Sequence, residues 1–99
     1  MPAYTLTKKA LADITEIWVY TAENWSIEQA DRYYNLIFDE IEYVAANFDM
    51  ARDFDHVRKG YRVTKVKSHL IFFRRTSKGE VEVVRVLHER MDIANRLSE

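Results

Sequence analysis

The chain has 99 residues, of which 47% are aliphatic or aromatic and 31% charged, with 2 Gly, 1 Pro and no Cys. That size and composition predict a single compact domain over residues 1–99, and exclude a disordered chain, a second core, disulfides and thiolate metal sites. The net charge of −1 conceals a split: residues 1–50 carry 3 Lys/Arg against 9 Asp/Glu, whereas residues 51–99 carry 12 against 7. A cationic surface in the second half, offered to an anionic partner, would explain that separation. The N-terminal segment lacks the apolar core of a signal peptide, and no apolar run approaches the roughly 20 residues of a membrane helix, so a cytoplasmic protein without membrane contact is expected.

In chain order, Ala3 to Thr7 alternates apolar and polar side chains and predicts a short strand. Thr7 can cap a helix from about Lys8 to Glu23, with an apolar stripe of Leu11, Ile14, Ile17, Trp18 and Thr21. Asn24-Trp25 breaks the pattern, and Trp25 is placed as a clamp of the inter-helix turn against the sheet. Ser26-Ile27-Glu28-Gln29 has the form of a capping box. The second helix should run to about Asn47 and bury Ala30, Tyr33 or Tyr34, Ile37, Ile41, Val44 and Phe48. Residues 49–60 show neither period and predict the only substantial loop. Three β-type runs follow, Tyr61–Lys67, His69–Thr76 and Glu80–Leu87, with links short enough for hairpins. Arg90 to Leu97 can add a final helical turn or two. The fold class is α+β: an N-terminal strand, an antiparallel helical hairpin packed on one face of an antiparallel β-meander, and a short C-terminal helix. The other sheet face is left partly open, and the hairpin core is assigned to Ile14, Trp18, Ile37, Ile41 and Phe72.

Arg62, Arg74, Arg75 and Arg85 fall in or at the ends of these strands. On a solvated face each guanidinium stays wet, free either to grip carboxylate or phosphate or to pair with Glu80 and Glu82. Together with Arg58 and Lys59 they point to a binding surface. His88 stands at the exit of the last strand, beside Glu89 and Arg90, as a general acid or base or as a strand-end cap. His56 and His69 stand alone, and no zinc-type spacing is present. Metal-free RNA cleavage needs a base, an acid and cations. Only His88 is available for the first two roles, so no catalytic set, metal or cofactor is assigned.

The chain resembles the ParE toxins of the RelE/ParE superfamily over nearly its whole length. The resemblance is carried by Tyr4-Thr5-Leu6-Thr7 with Ala10 and Asp13-Ile14; Tyr20 with Trp25; Gln29-Ala30 and Tyr33; and Arg58-Lys59-Gly60-Tyr61-Arg62. Its more specific parts are His69-Leu70-Ile71-Phe72-Phe73 and Val84-Arg85-Val86-Leu87-His88-Glu89-Arg90-Met91-Asp92. The resemblance implies a toxin of a type II toxin–antitoxin system that poisons DNA gyrase in its cleaved-DNA state. It also implies a cognate ribbon-helix-helix antitoxin whose flexible tail fills a groove on the toxin, with higher-order toxin–antitoxin oligomers as a further expectation. The alternative is the ribosome-dependent mRNA endoribonuclease of the RelE branch, whose terminal tyrosine or histidine acid is not matched by Ile93–Glu99. Arg58, Arg62, Arg75, Arg85, His88, Arg90 and Met91 are the residues assigned to the target-binding surface, for gyrase with its bound DNA.

Overall fold

In the computed structural model, which describes residues 4–98, the chain opens with strand β1, Tyr4–Leu6; the expected strand position Ala3 lies outside the described residues. The Thr7 hydroxyl accepts from the Ala10 N–H at 3.0 Å and caps helix α1, Lys8–Asn24. Ser26 repeats the device, accepting from the Gln29 N–H at 3.1 Å to start α2, Ile27–Ala46. A 3-10 turn at Phe48–Met50 and a two-residue strand β2, Arg52–Asp53, occupy part of the segment expected to be loop. Strands β3, Tyr61–Val66, β4, His69–Arg75, and β5, Val81–His88, lie within one residue of their expected bounds. Helix α3, Ile93–Leu97, closes the chain.

The sheet has order β1-β5-β4-β3-β2; all neighbours are antiparallel except β1, which runs parallel to β5. The β4–β5 turn depends on Gly79, whose φ of 82° is open to glycine at no steric cost. Central β4 is buried on both sides, with Ile71, Phe72 and Phe73 all at 0% exposure. Strand alternation sends Ile71 and Phe73 towards the hairpin, where Ala10, Ile14, Ile37, Ile41 and Val44 meet them. Phe72 goes the other way, against Val63, Leu87 and Leu97, with Phe54 and Ile93 at the rim.

Three expectations are corrected here. Phe72 is core, but of the opposite face, because period-two alternation separates it from its neighbours Ile71 and Phe73. That second face is not left open, since α3 and Phe54 build a smaller core on it. The buried stripe of α1 runs through Ala10 and Ile14 with Ile17 packed beside them, whereas Leu11 is 52% exposed. Trp18 sits half-buried at the hairpin surface, its indole N–H donating to Asp31 at 2.9 Å.

Strands β4 and β5 are joined through a one-residue irregularity. Phe73 faces Val83 but Phe72 faces Arg85, which leaves Val84 as a bulge. Helix α1 is fastened to this point. The Val84 carbonyl accepts from the Thr7 hydroxyl at 2.8 Å, and the Val86 N–H donates to Asp13 Oδ2 at 3.0 Å. Asp13 also accepts from Arg85 Nε at 2.8 Å and Nη2 at 3.1 Å, with the two side chains only 13% and 12% exposed. Arg85 Nη1 extends the link to the Arg96 carbonyl in α3 at 3.0 Å. Removing one partner of a nearly dry ion pair strands the other, so the pair holds α1, β5 and α3 together.

Ile41→Ala and Phe72→Ala should each cost about 2–5 kcal/mol in urea unfolding. Because the two side chains belong to cores on opposite faces of the sheet, the double variant should be additive to within about 0.5 kcal/mol. Asp13→Ala should cost about 3–5 kcal/mol, since it removes the carboxylate that both the Arg85 charge and the Val86 N–H rely on. A loss under about 1 kcal/mol by the same measurement would contradict this role.

Candidate functional site

The seven residues assigned from sequence do not form one patch. Arg62 and Arg75 lie at one end of the sheet with their guanidinium carbons 4.8 and 4.3 Å from the Phe48 ring centroid. Arg62 also donates to the carbonyls of Asp49 and Ala51, and Arg75 lies 3.9 Å from the Asp49 carboxylate. Arg58, in the loop before β3, stands at the same end, 5.8 Å from the Tyr61 ring centroid. His88 is at the other end, since His69 and His88 are partners at one limit of β4 while Tyr61 and Arg74 are partners near the other. The two ends are roughly 20 Å apart by strand rise. Arg85 lies between them and is turned to Asp13, so its expected place on a solvated cationic face is corrected. That face is absent because the second core occupies it, while Arg62 and Arg75 pack beside Phe48 on the hairpin side.

His88 and Met91 do share a feature: a groove of about 990 Å³ between the hairpin and the adjacent end of the sheet. Its helical wall includes Ile17 and Tyr20 from α1, and Tyr33 and Leu36 from α2; its sheet wall includes His69, Val86 and His88. Trp25 lines it while 62% exposed, its ring tilted against Tyr20 at 6.1 Å, so the expected clamp is instead an open aromatic edge. Indole at this exposure leaves a large apolar surface in water, a mark of partner sites. Met91, 40% exposed, adds an adaptable apolar contact.

The corner beside the groove is fixed by backbone. The Glu89 N–H donates to the Ser68 carbonyl at 2.9 Å, tying the end of β5 to the β3–β4 turn. The Arg90 N–H donates to His88 Nδ1 at 3.1 Å, so the neutral His88 ring carries its proton on Nε2. His69 lies across the strands from His88, the rings meeting edge to face with centroids 5.3 Å apart. The Tyr33 hydroxyl donates to the Val66 carbonyl at 3.0 Å, and His69 Nδ1 lies 2.6 Å from the same hydroxyl oxygen. Both contacts are satisfied when His69 Nδ1 carries the proton and Nε2 is bare. Burial, and then the neighbouring His88, push the His69 pKa below its ordinary 6.5, with Glu89 opposing. Burial pushes the Tyr33 phenol up. Lys65 Nζ, 2.9 Å from the carboxylate, holds Glu89 low.

His69, Tyr33, Trp25 and Leu36 were not singled out as site residues from the sequence. A straight register counted from the β4–β5 turn would have paired His69 with Leu87, and only the bulge at Val84 moves it opposite His88. Among the described residues, no group of three or more His, Asp or Glu side chains converges on a metal-sized site. None of the helices among the described residues is long and apolar enough to cross a membrane. Because His69 is held neutral in the fold, its contribution to stability is complete above about pH 6.5 and is lost as pH falls through its lowered pKa. Unfolding free energy measured from pH 7.5 to 5 should therefore decline, and His69→Gln should flatten that slope.

A family model described as "ParE toxin of type II toxin-antitoxin system, parDE" matches residues 4–93. Toxin ParE1 of Mycobacterium tuberculosis is 40% identical over 94 residues, covering 95% of this chain and 96% of that protein. Toxin ParE1 of Caulobacter vibrioides is 36% identical over 92 residues, covering 93% and 94% respectively. A solved structure of the chromosomal ParDE system from P. aeruginosa superposes with a TM-score of 0.77 at 18% identity, over 89% of this chain and 96% of that one, which speaks for the fold. With the motifs, the fold and full-length relatives in agreement, this chain belongs to the ParE family of toxins of type II toxin–antitoxin systems.

Proposed function

We propose that this toxin acts in the cytoplasm by binding DNA gyrase and holding it in its cleaved-DNA state, with the His88–Met91 corner as the main contact. The observation that carries this reading is the character of that corner. Arg90 and Met91 are exposed, follow the last strand and belong to neither core, so they can meet a partner without disturbing the fold. A poison of this kind performs no chemistry; it binds one conformational state of its target more tightly than the others, and each 1.4 kcal/mol of that difference shifts the populations about tenfold. The second cationic end, with Arg58, Arg62 and Arg75, is suited to acidic protein or to the phosphates of the DNA held by gyrase.

The alternative, a ribonuclease of the RelE type, meets a geometric objection. His69 supplies the second imidazole not recognised from the sequence, but the two rings touch edge to face at 5.3 Å and both Nδ1 atoms are engaged. In-line cleavage places base and acid on opposite sides of a phosphodiester, and rings already in contact leave no room for one between them. Glu80 and Glu82 lie near the far end of the sheet and cannot substitute.

The antitoxin of the pair is proposed to be a ribbon-helix-helix protein with a flexible, acidic, amphipathic segment that orders in the groove. Trp25, Leu36 and Met91 would supply apolar anchors there, and higher-order toxin–antitoxin oligomers would follow from a dimeric partner. Anchors of this size contribute about 1.5–3 kcal/mol each when fully buried.

The test compares wild type with the Arg90→Ala/Met91→Ala double variant in gyrase supercoiling and DNA-cleavage assays, alongside melting curves. Inhibition should fall at least tenfold while the melting temperature stays within the range of surface substitutions. Equal inhibition by both proteins would move the contact elsewhere, and no inhibition by wild type would sink the gyrase target. On translating ribosomes neither protein should cleave mRNA; site-specific cleavage lost in His88→Ala would establish the RelE-type alternative.

A further inference from the structure

The groove's sheet wall differs in chemistry from its helical wall. The helical wall sets Ile17, Tyr20, Tyr33 and Leu36 among Asp13, Glu16 and Arg32, whereas the sheet wall offers His69, His88 and, from the β3–β4 turn, Lys67. The charges facing this corner are largely committed. On α1, Asp13 is held by Arg85, and Glu16 lines the groove from the same helix. On α2, Arg32 lines the groove and the Tyr33 hydroxyl is shared between Val66 and His69. At the β5 end, Glu89 is paired with Lys65 of β3 at 2.9 Å, and Arg90 follows it in the chain. Neither Lys67 nor Arg32 has a carboxylate within salt-bridge distance among the described residues. The sheet wall therefore presents the His88 donor and the Lys67 charge, with no carboxylate of its own.

We propose that His69 and His88, flanked by Lys67, form a carboxylate-binding subsite that takes an acidic side chain of the docked antitoxin segment and is loaded by uptake of one proton at His69. This rests on the reading of the groove as the antitoxin's docking site. The hydrogen bonds define the step. His88, accepting from the Arg90 N–H at Nδ1, already carries a donor at Nε2. His69 directs its Nδ1–H to Tyr33 and has a bare Nε2, so it offers an incoming carboxylate only a repelling lone pair. Taking a proton from solvent onto that Nε2 makes His69 an imidazolium, which keeps its bond to Tyr33 and gains a charge-assisted bond to the carboxylate. In the free protein, burial and the adjacent imidazole disfavour that proton. A carboxylate within hydrogen-bond reach reverses the balance by stabilising the charged ring.

The sign follows. Binding raises the His69 pKa, so affinity increases as pH falls from above the bound value towards the free one. A purely apolar segment laid over the same rings would give the opposite, since it would expel protons. With one proton linked, affinity changes at most tenfold per pH unit, and roughly five- to tenfold tightening is expected between pH 8 and pH 6.

The experiment is calorimetric titration of the intact toxin with its purified cognate antitoxin at pH 8, 7 and 6. Repeating each titration in buffers of different ionisation enthalpy counts the protons exchanged. Net uptake with tightening towards pH 6 supports the proposal, as does His69→Gln that still binds at pH 8 but shows neither uptake nor tightening. A melting curve confirms that this variant is folded. Should it fail to fold, histidine ring NMR titrations of wild type, free and in complex, decide the matter: the His69 pKa must be higher in the complex. Equal affinity at all three pH values without proton exchange, or proton release on binding, overturns the subsite while leaving the groove as docking site. Undiminished binding by Trp25→Ala/Leu36→Ala, or no association at any pH, overturns the docking reading itself.

Discussion

The structure turns on the bulge at Val84 and the carboxylate that answers it. An extra residue in β5 interrupts the ladder to β4 and leaves backbone groups to be satisfied elsewhere. Thr7 and Asp13, six residues apart at the start of α1, take the Val84 carbonyl and the Val86 N–H. The same carboxylate receives Arg85, and the same guanidinium reaches the Arg96 carbonyl of α3. One point in the sheet thus fixes the helix on each side of it. A hairpin of two amphipathic helices could slide over a flat apolar sheet, and a directional, nearly dry ion pair gives it a defined position.

That position determines where the groove opens. The apolar faces of α1 and α2 cover Ile71, Phe73, Val81, Val83 and Val86, with Phe48 closing the core against Phe73 at 5.7 Å. Towards His69 and His88 the coverage runs out, leaving Trp25, Tyr20 and Leu36 at the rim in place of a packed interior. Burying these side chains would stabilise an isolated domain, and their exposure is the observation on which the proposed docking of a partner rests. The corner from Glu89 to Met91 is held by two backbone bonds and one imidazole, giving it definite shape without a role in either core.

The charge asymmetry of the two halves also takes on a different meaning in three dimensions. Several cations of the second half already have partners within the chain: Arg85 on Asp13 in a nearly dry pair, Arg74 on Glu82 and Lys65 on Glu89 at the surface, and Arg62 on the carbonyls after α2. Of these, Arg85 takes a carboxylate of the acidic first half, while Arg74 and Lys65 pair with acids of their own half. What remains for a partner is smaller and divided between the two ends of the sheet, so recognition at one end need not affect the other.

The sequence by itself determined the local features. The hydroxyl caps at Thr7 and Ser26, the bounds of β3, β4 and β5 to within one residue and the two tight turns after β3 and β4 each depend on hydrogen bonds and backbone preferences spanning a few residues. The family motifs were legible for the same reason, as short runs of residues. Tertiary structure alone decided which faces those residues shared. The bulge displaced the β4–β5 register by one and set His88 against His69; a straight count would have given Leu87. Arg85, read as a solvated cation, found its carboxylate 72 residues away on α1, and Phe72 found a second core built by a five-residue helix. Such contacts join distant segments. Packing of the whole chain selects them, and composition and periodicity carry no record of that selection.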